Sequence, residues 1–389
     1  MKRYVRVPAL LMRGGTSKGA FLLESDLPED PAVRDQVILD IYGSPDIRQI
    51  NGIGGSDPLT SKVALIRPSL RPDADVDYTF GYVGITEPYV DYSGNCGNMI
   101  SAVGPYAVYK GLVPITEPFT TVRIHNTNTN KIVVARVPVT DGELDLFGDY
   151  AISGVPGTAA RIELEFLHAG GEKTKKLLPT GNVRDRITLS DGRTIEVTCC
   201  DAGNPGIIVR AEDIGFTSQE RPDTPEADQL LLLMEEIRRI GSVLMGLSRD
   251  TRKVSPAIPK IVVAAPPQMF RTVQDEFHRA SEVNLICRTM ALNYFHKAYA
   301  VTTGICTAAA ASIPGTVVHD IARPAAGDGT FYIGHPSGIL DIIVQIGENE
   351  QGFYVKKAAM SRTANLLMEG QAFVRRDVWE GKAAAAAEI

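Results

Sequence analysis

Cys96 to Gly111 reads CGNMISAVGPYAVYKG, and Thr302 to Gly315 reads TTGICTAAAASIPG. Each stretch begins with small polar residues, runs through Ala, Val and Ile, and ends near a glycine. Neither carries a charged face before its last turn, and a helix that is apolar all round belongs inside a protein. One such helix falls in each half of the chain, flanked by segments that read as strands. The pattern predicts two similar α/β (α+β) units, each a central helix wrapped by β-sheet.

The flanking segments support this. Tyr4 to Met12, Val76 to Val83, Thr120 to Ile124, Ile132 to Val139, Arg161 to Leu167, Thr194 to Thr198, Ile207 to Val209, Lys260 to Ala264, Thr330 to Ile333 and Leu340 to Ile346 are short and rich in β-branched residues. Turn residues bound them, as expected of strands. Asp30 to Tyr42, Pro225 to Leu247, Val273 to Ala291 and Ser361 to Phe373 read as helices. MRGGTSKGAFLL, from Met12, and DAGNPGIIV, from Asp201, each place a glycine turn before an apolar strand. With the paired helices, they indicate an approximate repeat of about 200 residues. The expected domains are 1–184 and 185–380, with LPTGNVRD (Leu178 to Asp185) as the crossover, the last helix free to pack back on the first domain, and 381–389 as a tail.

The 389 residues suit two domains at about 150 residues each. A net charge of −6 lacks the basic excess of a nucleic-acid binder. The five cysteines (Cys96, Cys199, Cys200, Cys287, Cys306) show no CxxC spacing, so neither a disulfide framework nor a metal site is indicated. Free thiols fit a reducing, cytoplasmic setting. The N-terminal apolar run is broken by Arg6, Pro8 and Arg13, and no stretch approaches the ~20 apolar residues of a membrane span.

The strongest chemical signal is SGNCGNMIS around Cys96. Gly94 and Gly97 permit close approach to the first turn of a buried helix, whose free N–H groups and dipole favour anions. Such a field favours a thiolate, although many cysteines are only small buried fillers. RQINGIGGSDPLTSKVALI gives the second signal. Its loop crowds Ser56, Asp57, Thr60, Ser61 and Lys62 ahead of the apolar run Val63 to Ile66. A lysine opening an apolar strand needs a partner, and burial weakens a lysine's hold on its proton, as a base requires. The alternative is a lysine at a strand edge.

RGGTSKG (Arg13 to Gly19) fails the phosphate-loop spacing but suits an anion-binding turn. HNTNTNK (His125 to Lys131), PTGN (Pro179 to Asn182), GNPG (Gly203 to Gly206), KVSPAIPK (Lys253 to Lys260) and GHPSG (Gly334 to Gly338) are turns that can add anion contacts. His296 precedes the second buried helix. Cys199 and Cys200 alternate in facing along a strand, so they cannot ligate one ion from one side.

NCGN before a buried helix, GNP in the second half and a second Gly/Thr/Cys-rich helix resemble the diaminopimelate epimerase fold. RGGTSKG, the block from Gly43 to Ala64, DADVDYTF, SGNCGN, GVPGT, PTGN, HKAY, IPGT, GHPSG and SRTA resemble more closely the methylitaconate Δ-isomerase, 2-methylaconitate isomerase and 4-oxalomesaconate tautomerase family, from about Arg6 to Val374. The resemblance implies two epimerase-like domains with the active site in the cleft between them, and no metal, flavin, nucleotide or other cofactor. It implies that Lys62 and Cys96 are catalytic. Ser17, Thr16, Arg13, Ser56, Ser61, Gly97, Asn98, Asn126, Asn204, His296, Thr302 and Thr303 are the expected substrate contacts. Where the epimerases place a second catalytic cysteine, this chain reads AVTTG, so a two-thiol racemisation is not expected.

The expected function is a cofactor-independent allylic isomerisation of an unsaturated di- or tricarboxylate, most like 3-methylitaconate to 2,3-dimethylmaleate. A proton leaves the carbon α to a carboxylate and returns across the allyl unit. Either Lys62 or Cys96 could abstract it, with Lys62 favoured as base. The alternatives are a 2-methylaconitate cis-trans isomerase, a 4-oxalomesaconate tautomerase, or a non-catalytic polycarboxylate-binding accessory protein. Arg13, Lys18, Arg48, Lys253 and Lys260 are the cations near these turns. The expected partner is a small polycarboxylate, without nucleic acid or membrane; a homo-oligomer is compatible with the sequence.

Overall fold

The computed structural model describes residues 3–92, 96–171, 173–221, 224–255, 258–291 and 294–382. Gly94 of the SGNCGN motif, and 383–389 of the expected tail, lie outside the described residues. The chain forms two compact units, Met1–Leu164 with Ser361–Ile389, and Glu165–Met360.

In the first unit the elements are β1 (Tyr4–Gly14), β2 (Ser17–Leu23), α1 (Pro31–Tyr42), β3 (Lys62–Pro68), β4 (Val76–Val83), α2 (Gly97–Ile100), α3 (Val103–Tyr109), β5 (Phe119–Asn126) and β6 (Lys131–Thr140). The second unit holds β7 (Thr194–Ala202), β8 (Asn204–Arg210), α4 (Pro225–Leu244), β9 (Lys260–Ala265), β10 (Leu285–Ala291), α5 (Val301–Ala311), β11 (Thr330–His335) and β12 (Gly338–Asn349). One further strand, β13 (Ala364–Arg375), belongs to the first unit.

The two units repeat one topology. From β1 to β6, neighbours pair antiparallel, parallel, antiparallel, parallel and antiparallel. From β7 to β12 the same succession recurs. In both, the first parallel connection carries an outer helix, α1 or α4, and the second carries the central helix. Parallel pairs need such crossovers, whereas antiparallel neighbours close with hairpins. The α2–α3 segment touches β1 and β2 at one end of its sheet and β5 and β6 at the other, so that sheet curls around it. In the second unit α5 touches β7, β8 and β12 in the same way.

Local chemistry sets the helix ends. Asp30 caps α1 by accepting from the N–H groups of Ala32 and Val33, Pro31 occupies the first turn, and Gly43 ends the helix in the left-handed region. Thr224 caps α4 by accepting from Ala227 N–H. Along α4, Ala227, Leu230, Met234, Ile237 and Gly241 face the sheet at helical spacing. They pack on Ile207, Val209, Ile261 and Val263. Each fully buried aliphatic side chain of this kind contributes about 1.5–3 kcal/mol. The central helices are buried throughout, from Val103 to Val108 and from Thr303 to Ala311.

Two expected helices are strands. Val273 to Ala291 contains a tight turn, a short 3-10 turn (Ala280–Glu282) and then β10. Thr272 closes the first turn by donating its N–H to Glu276 O, with Asp275 at φ 66°. The Asn284 side chain donates to the carbonyls of Arg323 and Pro324, which fixes the entry to β10. Ser361 to Phe373 is mostly β13, antiparallel to β1 along its whole length. Helix propensities differ by only tenths of a kcal/mol per residue, and a continuous ladder outweighs them.

The unit boundary falls between Leu164 and Glu165, ahead of the expected crossover at 184/185. Residues after it already bind strands of the second unit: Gly171 N–H donates to Asp201 O, Gly203 N–H to Ala169 O and Asp201 N–H to Leu177 O. No helix among the described residues is long and apolar enough to cross a membrane.

Candidate active site

Lys62 is the first residue of β3 and is only 9% exposed. Its position is held from two sides. Tyr42, at the end of α1, donates its hydroxyl to the Lys62 carbonyl and accepts from Ala20 N–H at 2.8 Å. Gly19 lies opposite Lys62 in the parallel β2–β3 pair, and a Cβ there would come within 1.9 Å of the Lys62 carbonyl oxygen. Only glycine allows this approach.

Three protic side chains meet at this point. Lys62 Nζ donates to Ser17 Oγ at 2.8 Å and lies 3.6 Å from Cys96 Sγ. Ser17 Oγ is 3.8 Å from the same sulfur. Cys96 is 8% exposed and is the N-cap of α2, its sulfur accepting from Met99 N–H at 3.4 Å. The thiol therefore sits among the free N–H groups of a helix start, where negative charge is favoured. Among the described residues no carboxylate pairs with Lys62. A buried cation without a fixed anion is costly, so this arrangement suits one that arrives or forms during a reaction, a substrate carboxylate or the Cys96 thiolate.

The RGGTSKG turn wraps the start of α2. Asn98 donates its side-chain amide to Thr16 Oγ1 at 3.0 Å, and Gly97 opens the helix. Arg13 donates to the Gly15 carbonyl and to both oxygens of Thr363, and burial lowers its pKa. Asn126 is buried at the end of β5, its side-chain oxygen accepting from Thr129 N–H. Ser61 is buried beside Lys62, but its hydroxyl donates to Val83 O and accepts from Gln49 Nε2. Ser56 is exposed and left-handed at φ 60°, its N–H held by Gln49 Oε1. It lines a hollow of about 330 Å³ with Ile47, Tyr82, Ile85, Thr86, Glu87 and Tyr89.

The remaining expected contacts gather in the second unit. Asn204 donates to Thr302 Oγ1 at 2.7 Å, in the first turn of α5. Gly203, at φ 67°, lets the β7–β8 turn pass beside Thr302, where a Cβ would lie 2.9 Å from the Thr302 carbonyl oxygen. Thr303 is buried, and its hydroxyl has no hydrogen-bond partner. His296 accepts Ala298 N–H on its Nδ1. Burial, with a smaller contribution from the charge of Lys260, lowers the His296 pKa.

Four supporting residues escaped the sequence reading. Tyr42 fixes the backbone at Lys62, and Gln49 ties Ser44, Ser56 and Ser61 together. Asn128 bonds both the N–H and the carbonyl of Phe80 and also the Tyr92 carbonyl, anchoring the segment that leads to Cys96. Tyr78 is buried with an unpartnered hydroxyl, and burial together with the nearby Cys96 pushes its pKa up. HNTNTNK and DADVDYTF were the only signals for the last two. Among the described residues no group of three His, Cys, Asp or Glu side chains is placed to hold a metal ion.

Residues 4–375 match the family described as PrpF protein. The chain is 44% identical to the 3-methylitaconate isomerase of Eubacterium barkeri, over 97% of this chain and 99% of that one. It is 41% identical to the 4-oxalomesaconate tautomerase of Pseudomonas putida, over 97% and 98%. With the 2-methyl-aconitate isomerase of Shewanella oneidensis it shares 38%, over 95% and 97%. A crystal structure of a methylitaconate-delta-isomerase superposes with a TM-score of 0.89 at 43% identity, over the whole of both chains. The chain therefore belongs to the PrpF protein family, and it is an isomerase of that family.

Proposed function

We propose that the chain is a cofactor-independent allylic isomerase of an unsaturated di- or tricarboxylate, with 3-methylitaconate to 2,3-dimethylmaleate as the nearest reaction. The observation that carries this reading is the contact of Lys62 Nζ with Ser17 Oγ at 2.8 Å and with Cys96 Sγ at 3.6 Å. Binding a polycarboxylate calls for cations and N–H groups. It does not call for a thiol and an amine in contact.

Neutral Lys62 takes the proton from the carbon α to a carboxylate. The C–H electron pair enters a dienolate, and an N–H bond forms. Cys96 S–H then gives a proton to the far end of the allyl unit, closing the new C–H bond. The proton on Lys62 returns to the Cys96 thiolate, and Ser17, in contact with both, is placed to relay it. The positive end of α2 and the Lys62 ammonium stabilise the charge that grows on the dienolate. The substrate contacts proposed with them are Arg13, Thr16, Ser17, Ser56, Ser61, Gly97, Asn98, Asn126, Asn204, His296, Thr302 and Thr303. All five free thiols are buried, which supports a reducing, cytoplasmic setting.

Proton NMR in D₂O tests the reading. The purified protein is given methylitaconate, itaconate, 2-methylaconitate, aconitate and oxalomesaconate in turn. Deuterium entering the allylic positions of methylitaconate, with dimethylmaleate appearing, is the expected result. Turnover of 2-methylaconitate or oxalomesaconate instead reassigns the substrate. Binding without exchange across the whole panel overturns the isomerase and leaves an accessory polycarboxylate binder.

A further inference from the structure

The repeated topology places a second lysine where the first unit has Lys62. In the first unit, Ser17 opens β2, Gly19 follows in that strand, and Gly19 faces Lys62, the first residue of β3, in a parallel pair. In the second unit, Asn204 opens β8, Gly206 follows, and Gly206 faces Lys260, the first residue of β9, in a parallel pair. Ser17 contacts Cys96 at the start of its central helix, and Asn204 bonds Thr302 in the first turn of α5. Lys260 is thus the repeat-mate of Lys62.

The side chain lies on the α5 face of its sheet. Residues alternate along a strand, and Ile261 and Val263 pack toward α4, which turns Lys260 and Val262 the other way. Phe295 packs with the α4 cluster, so His296 turns to the same face as Lys260. Lys260 is half-buried, and burial with the nearby Arg238 lowers its pKa. Among the described residues it has no hydrogen-bond or carboxylate partner. Arg238, by contrast, is satisfied by Glu235 and by the carbonyls of Ser255 and Ile258.

A half-buried cation with no anion asks for one. Its surroundings are those of an anion site. Thr303, in the first turn of α5, has a buried hydroxyl with no partner, and a buried hydroxyl without a partner is rare in a finished structure. The N-cap of α5, Ala300, has no side chain to cover the helix N–H groups.

We infer that Lys260 is the cation of a carboxylate-binding subsite in the second unit, completed by His296, Asn204 and the first turn of α5. This deepens the proposed function and rests on its substrate class, since a di- or tricarboxylate carries a carboxylate for this subsite besides the one at the reacting carbon. The repeat has kept the lysine and replaced the thiol position with Thr302 and Thr303. The second unit therefore binds where the first has the amine and thiol of the proposed proton transfer.

The test is titration calorimetry with methylsuccinate, a saturated dicarboxylate that cannot isomerise, and with its monomethyl esters. Wild type is expected to bind methylsuccinate. Lys260→Gln and Lys260→Met are expected to weaken that binding at least about tenfold, the loss of one charge-assisted contact. For at least one monoester the loss is expected to stay below about threefold, because the missing carboxylate is the one Lys260 holds. Lys260→Arg is expected to retain most of the affinity. With methylitaconate the loss in the Gln and Met variants falls on KM rather than kcat. Wild-type affinity in either folded variant, or equal losses for the diacid and both monoesters, overturns the subsite. A wild type that turns over no panel compound, yet binds methylsuccinate through Lys260, overturns the isomerase reading and keeps the subsite. Normal turnover with unchanged KM in Lys260→Gln does the reverse.

Discussion

The Tyr42 hydroxyl bridges the backbones of two neighbouring strands, accepting from Ala20 N–H and donating to the carbonyl of Lys62. The residue that carries the amine of the site is thereby tied to a helix twenty residues upstream. Tyr42→Phe keeps the ring and removes both bonds. Leaving a buried donor and acceptor unpaired costs about 1–3 kcal/mol. The expected result is a Tm lower by several degrees and a kcat that falls more than KM rises. A kcat equal to wild type at the lower Tm would show that the bridge supports the fold without placing the amine.

Lys62→Met removes the proposed base and keeps the length of the stem. Turnover is expected to drop at least about 10³-fold, within the range for losing a general base. Circular dichroism and Tm should remain near wild type, because no carboxylate among the described residues loses a partner. Near-normal turnover would sink the assignment.

Cys96→Ser separates the thiol's chemistry from its structural role. Serine is a good N-cap and can accept from Met99 N–H as the sulfur does. Stability should therefore hold within about 1 kcal/mol, while turnover falls at least about 10²-fold. A variant that unfolds would place the loss in the capping geometry instead.

Gly19→Ala probes the close approach of β2 to β3. The added Cβ would collide with the Lys62 carbonyl oxygen, a backbone atom that cannot swing aside. Overpacking of this kind costs about 1–3 kcal/mol or more, and here it displaces Lys62 as well. Both Tm and turnover are expected to fall. Unchanged turnover would show that the strand pair can spread without moving the amine.

His296 gives a pH signature. Its folded pKa lies below the ordinary 6.5 because burial, with the Lys260 charge adding to it, disfavours the imidazolium. Just below pH 6.5 the unfolded chain then holds more protons than the folded one at this residue, so acid favours unfolding. The stability contributed by neutral His296 is complete above that pH and is lost as pH falls through it, until the folded imidazole also protonates. His296→Gln should show a smaller drop in Tm than wild type between about pH 7.5 and 5.5. An equal drop in both proteins would exclude His296 as the source.

The sequence read most clearly where chemistry and local pattern coincide. Cys96 and Lys62 each stand at the junction of a polar turn and an apolar run, which is why both were legible and why they meet. The strands were legible for the same reason, being β-branched runs between turns. What stayed hidden depends on contacts distant in sequence. Ser61 looks like a site hydroxyl until Gln49 and Val83 are seen to hold it. Tyr42 looks like a helix-end aromatic until its hydroxyl is seen between β2 and β3. Ser361 to Phe373 reads as a helix because its leucines, methionine and alanines are helix formers, and only the presence of β1 makes it a strand. Lys260 was one basic residue among several. Its equivalence to Lys62 lies in the parallel register with Gly206, and composition carries no trace of that.

The pairing of β13 with β1 also governs how the protein can be made. The first unit needs a strand from the far end of the chain, so it stays unfinished while the whole second unit is synthesised. On the ribosome the second unit is the first that can close, and the first emerges early with one edge of β1 exposed. A transcript cut short after Met360 would leave that edge open for good, prone to capture by other chains. A circularly permuted gene that starts at Glu165 would let each unit be completed in the order in which it is translated.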